Sequence, residues 1–136
     1  MDDYFTYAYI ETQLSNIWYH WGEMSKLIEQ IISVSDVKIA YPKKFCDDKD
    51  TKCRLLLFTN DSIYDLELIS SGSITVTIHK IKNIVNMTLK MERSLNATLI
   101  IKFATDEIVI SSTDSLYEYQ TPQYSKAIRE VAKLYS

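Results

Sequence analysis

Seven short antiparallel strands held between two amphipathic helices, an α+β chain, is the fold class this sequence predicts. Three observations predict it. Apolar residues recur at helical spacing over 6–33; from residue 37 the pattern changes to short runs rich in Ile, Val, Leu, Thr and Tyr; and the chain closes on "TPQYSKAIREVAKLYS", which opens with a helix-start signal.

The totals bound the answer before any element is placed. A chain of 136 residues hides about two thirds of its unfolded surface on folding, so a single domain spanning 1–136 needs no disulfide or metal for stability. A net charge of -3, spread along the chain, gives no field that recruits nucleic acid or an anionic membrane. With two glycines in all, there is no phosphate-cradling loop. The acidic start "MDDYFTYAYIE" is unlike a secretory signal, and the longest apolar run, "LLLF", is far below the roughly 20 residues of a membrane span. The expected setting is cytoplasmic, with Cys46 and Cys53 as reduced thiols.

In the first element, Ile10, Leu14, Ile17, Trp21, Met24, Ile28 and Ile32 fall on one face at 100° per residue, and Glu11, Ser15, Lys26, Glu29 and Gln30 fall on the other. This predicts one long amphipathic helix over 6–33, with an apolar arc widened by Trp18 and Leu27. Strands follow at 37–41, 54–59, 62–69, 73–81, 84–92, 97–104 and 107–112. Asn60-Asp61 suits a tight turn between the second and third, since both side chains tolerate positive φ. Alternation puts Ile74, Val76 and Ile78, then Val85, Met87, Leu89 and Met91, toward a core, with Thr75, Thr77 and His79 facing water. Thr121 reads as the N-cap and Pro122 as the first residue of the last helix. There Ile128, Val131 and Tyr135 share the apolar face with Ala127 and Leu134 beside them, while Lys126, Arg129, Glu130 and Lys133 point elsewhere.

The stretches "LLLFTNDSIYDLEL", "ITVTIHKIKNI", "TLIIKFATDEIVI" and "AIREVAKLY", in that order, resemble bacterial members of the pleckstrin-homology-like (PH-like, GRAM-like) superfold, and the chain as a whole is similar to small bacterial proteins of that superfold. The likeness covers 37–136, with the N-terminal helix as an addition. It implies an open barrel of two nearly orthogonal sheets plugged by the last helix, and a binding role carried by edges and loops. In membrane-binding members the loop between the first two strands clamps inositol phosphates with basic residues. By that resemblance Lys43, Lys44, Lys52 and Arg54 of "YPKKFCDDKDTKCR" form a candidate anion-binding loop over 42–54, although Asp47, Asp48 and Asp50 cancel most of its field.

Other candidates rest on single residues. Trp18 lies at the edge of the apolar arc and Tyr19 projects from the polar face beside Glu23 and Lys26, so these two mark a candidate partner surface. Cys46 and Cys53 lack both the CxxC spacing and the His partners of a zinc site, His20 and His79 being distant. Ser73 or Ser94 with His79 and Asp65 lacks a strained nucleophile turn, so His79 reads as an exposed, idle residue. Tyr117 and Tyr119 are expected to staple the last helix to the sheet. No catalytic, cofactor or metal site is read. The expected function is a non-enzymatic module for a protein or peptide partner or a second copy, with anionic lipid or a small anion at the 42–54 loop as the second reading.

Overall fold

A computed structural model describes residues 4–17, 21–44, 52–69, 73–93, 96–115 and 120–136, apart from the side chains of Ile17, Lys44 and Lys52. Helices α1 (Tyr7–Ile17) and α2 (Trp21–Glu29) precede strands β1 (Ile39–Lys44), β2 (Lys52–Phe58), β3 (Ser62–Ile69), β4 (Ser73–Lys80), β5 (Asn86–Met91), β6 (Ala97–Lys102) and β7 (Glu107–Ser111); helix α3 (Thr121–Leu134) closes the chain. The strands form two antiparallel meanders, β1-β2-β3-β4 and β5-β6-β7.

β2 organises the core. Cys53, Leu55, Leu56, Leu57 and Phe58 are all fully buried, and successive side chains on a strand point to opposite faces, so both faces of β2 are apolar. Register extends each face to its neighbours: Phe58 pairs with Ile63 and Leu56 with Tyr41, whereas Leu55 pairs with Leu66, Cys53 with Leu68 and Leu57 with Ala40. The Tyr41, Leu56, Phe58 and Ile63 face packs on Leu99, Ile101, Ile108 and Ile110 of the second sheet and on Ile128 and Val131 of α3. The opposite face packs on Ile10, Leu14, Trp21, Met24, Ile28 and Ile32 of the N-terminal segment.

The expected single helix over 6–33 is two helices, Tyr7–Ile17 and Trp21–Glu29. One unbroken helix of that length would run about 42 Å, whereas strands of six to eight residues span only about 20–27 Å. Two shorter helices keep Ile10, Leu14, Trp21, Met24, Ile28 and Ile32 of the apolar stripe on the sheet. Because both use that stripe, the apolar period passes through the break and cannot reveal it. Trp18, Tyr19 and His20 lie outside the described residues.

Two expected strand faces also change. Ile74 and Val76 pack toward the helices, but Ile78, at the strand end, is exposed. On β5, Met87, Leu89 and Met91 share the face of Ile101, Leu99 and Ala97. Only Met87 packs there, leaving Leu89 40% and Met91 43% exposed, because β5 is an outer strand whose inner face is incompletely covered.

The Asn60-Asp61 turn forms, closed by a residue the sequence pattern does not single out. Thr59 Oγ1 accepts the N–H groups of Ser62 (3.0 Å) and Asp61 (3.3 Å), while the Thr59 N–H donates to the Ser62 carbonyl (2.9 Å). The Thr59 carbonyl takes the Tyr135 hydroxyl at 2.8 Å, which fixes the end of α3 to this turn. At the start of α3 the cap falls on Gln120, one residue before the expected Thr121.

Removing the N-terminal helices uncovers Leu55, Leu57, Leu66 and Leu68 together, at about 1.5–3 kcal/mol for each side chain, which is comparable to the whole net stability of a small domain. A chain lacking residues 1–36 is therefore expected to be unfolded or aggregated by circular dichroism and light scattering. A monomeric, cooperatively melting 37–136 fragment would refute this account of the core.

Candidate functional site

The segment before α1 lies across the edge of β1. The Phe5 carbonyl accepts the Ala40 N–H at 2.7 Å, and the Phe5 ring packs edge-on to Tyr124 (centroids 5.0 Å) and stacks on Tyr41 (5.9 Å). Tyr41 and Tyr124 are themselves edge to face at 5.2 Å. This aromatic trio closes one flank of the sheet and leaves a groove beside it.

That groove has a volume of about 470 Å3 and is lined by Phe5 and Thr6, by Lys38 and Ile39 leading into β1, and by Lys126, Ala127, Glu130, Lys133 and Leu134 of α3. Its floor is apolar, from Phe5, Ile39, Ala127 and Leu134. The rim carries three lysines and one glutamate, and none of the four forms an ion pair among the described residues. A second depression, of about 260 Å3, adjoins it near the β2–β3 turn, but there Asp36 and Asp61 balance Lys38 and Lys80. Of these two, the larger joins an apolar floor to an excess of one charge.

The basic residues expected to form an anion loop lie on strands. β1 runs to Lys44 and β2 begins at Lys52. Pro42 is accommodated because β1 is an outer strand. A register shift between Pro42 and Lys44 accompanies an inward Lys43, which donates to the Val109 carbonyl. Burial, then the nearby Arg54 charge, hold the Lys43 ammonium below the ordinary lysine range. Arg54 forks onto Asp65, Nε to Oδ1 at 3.1 Å and Nη2 to Oδ2 at 2.7 Å, and that hydrogen bonding raises its pKa. The two cations whose side chains are described are thus engaged within the protein. Cys53 is fully buried against the helices; Cys46 lies outside the described residues, as do Ser94, Tyr117 and Tyr119.

His79 differs from its expected exposure. Its side chain is 9% exposed, its ring stacks on Phe103 at 4.6 Å, and Nδ1 lies 3.8 Å from Asp106 Oδ2. It helps to join β4 to the turn after β6. Asp65, engaged with Arg54, pairs in register with Thr77 and not with Ser73, so the serine, histidine and aspartate do not converge. Among the described residues no three His, Cys, Asp or Glu side chains gather as a metal site, and no helix is long and apolar enough to cross a membrane.

Sequence reasoning placed Lys126, Glu130 and Lys133 on the polar face of the last helix but missed the groove. Phe5 stands ahead of any periodic pattern, and Lys38 reads as one strand residue among many. The groove exists only where three separated segments meet. No family model, curated protein or solved structure matches the chain.

The tyrosines around this seam have a measurable signature. Burial first, then the Asp114 carboxylate, raise the pKa of Tyr41 and Tyr124; burial raises Tyr135, and burial followed by Glu11 and Glu29 raises Tyr7. Each neutral phenol is favoured by folding. Stability from these groups is therefore fully present below the unfolded value near 10 and is lost as pH rises above it, by about 1.4 kcal/mol per pH unit per tyrosine. Urea midpoints are expected to hold level to pH 10 and drop steeply above it, with these four phenols ionising, by absorbance at 295 nm, only as the chain unfolds. Ionisation of all ten tyrosines near pH 10 in a folded chain would contradict the packing.

Proposed function

We propose that this chain is a non-enzymatic interaction module, built on a PH-like open barrel, that binds a segment of a protein partner in the groove between β1 and α3. A cytoplasmic setting belongs to the same proposal. Four strands, then three, then a C-terminal helix against the second sheet is the element order of that superfold, which supports the scaffold reading.

The groove is the observation that carries the binding reading. Its volume of about 470 Å3 lies in the roughly 300–1,000 Å3 range of ligand-binding clefts, room enough for one bulky side chain and its neighbours. Burying such a side chain on the Phe5, Ile39 and Leu134 floor supplies about 1.5–3 kcal/mol, and the charged rim sets orientation. The anionic-lipid reading draws less support, since Lys43 and Arg54 are already engaged with Val109 and Asp65.

The test uses p-benzoylphenylalanine placed at position 133, on the groove rim, or at position 88, on the outer face of β5, with irradiation in cells that express the full chain. A discrete cross-linked product is expected from 133 and not from 88, and is expected to disappear when Leu134→Asp is added to a chain that still folds by circular dichroism. Absence of any product at 133 would overturn the reading; equal products at both positions would overturn its placement in the groove.

A further inference from the structure

The rim of the groove has a charge order. Lys126 and Lys133 stand seven residues apart on α3, two turns and about 10 Å along the axis, and Glu130 lies between them on the same side. Lys38 stands on the β1 wall. All four side chains are exposed, and none is neutralised by an ion pair among the described residues.

Resting on the reading of this groove as a protein-binding site, we infer that the segment it takes is acidic: one bulky apolar side chain on the floor, carboxylates on both sides of it, and a neutral or basic residue at the middle, opposite Glu130. A basic segment meets three like charges. An uncharged apolar segment covers three ammonium groups without replacing the water it displaces, which is unfavourable. Nucleic acid is opposed by a net charge of -3 and by a floor whose one aromatic ring, Phe5, already packs on Tyr41 and Tyr124. The whole-molecule charge also sets the range of the attraction. An acidic partner is not drawn from a distance, so the recognition acts within a Debye length of about 8 Å and discriminates by position more than by encounter rate.

The experiment selects binders from a phage-displayed library of random twelve-residue peptides on the immobilised full chain, then synthesises the enriched peptides with a fluorescein label. Affinity is read by anisotropy, and the site is located by backbone amide shifts at Lys126, Glu130, Lys133 and Leu134. Enriched sequences are expected to carry Asp or Glu on both sides of an aromatic or large aliphatic residue. A folded K126E/K133E chain should bind them about tenfold more weakly, and E130Q should bind those with a neutral residue at the middle about threefold more tightly. The opposite signs separate charge recognition from damage to the fold.

Peptides that shift the groove amides but bind equally well with every Glu changed to Gln and Asp to Asn would overturn the acidic inference and leave the binding groove standing. Peptides that bind without shifting those amides, or a selection with no enrichment, would overturn both.

Discussion

β2 sets Leu55, Leu56, Leu57 and Phe58 in unbroken succession, and each is wholly buried. In a strand this leaves no face for water, so the sheet that β2 runs through must be covered twice. The second sheet with α3 provides one cover, and α1 with α2 provides the other. Neither is dispensable, because the apolar surface under either one is worth about as much free energy as a domain of this size retains in total. The N-terminal helices are an integral layer of this core.

Two covers on opposite faces need joining, and tyrosine hydroxyls do much of it. Tyr124 donates to the Pro42 carbonyl at 2.8 Å and Tyr135 to the Thr59 carbonyl at 2.8 Å, so both ends of α3 are tied to the first sheet. The Tyr41 hydroxyl lies 2.7 Å from Asp114 Oδ2 and 2.9 Å from the Ser111 carbonyl, joining β1 to the turn after β7. Asp114 is held for this by the Ser111 N–H at 2.9 Å. A tyrosine suits the position because its ring adds to the core while its tip satisfies a carbonyl that burial would otherwise leave unpaired.

Local chemistry explains how much of this was legible. The strands and α3 show in the sequence because turn residues and apolar spacing are local signals, whereas the burial of "LLLF" on both faces emerges only from the packing. Thr59 closing the turn, the division of the N-terminal helix and the packing of His79 on Phe103 depend on which surfaces meet, and period carries no record of that. The same holds at the outer strands. Alternation correctly placed Leu89 and Met91 on the inner face of β5, but how far a cover extends over that face is decided by the length and seating of α3. The anion-loop reading failed to anticipate Lys43 turned to Val109 and Arg54 forked onto Asp65, because a cation's internal partner lies far off in sequence.

The groove follows from the same double cover. A helix packed across a sheet cannot also follow the edge of its outer strand, so a trough remains between α3 and β1, and the Phe5 segment contributes to its floor. Residues along such a trough serve two roles. Ala127 and Leu134 continue the buried stripe of α3 to its margin, where they become a floor, and Lys126, Glu130 and Lys133 begin the solvated face and become a rim. An apolar floor bordered by charges that form no ion pair among the described residues stabilises the folded chain less than a closed core or an ion-paired surface would. A surface of that kind gains most when a partner supplies the missing apolar contact and the opposite charges together.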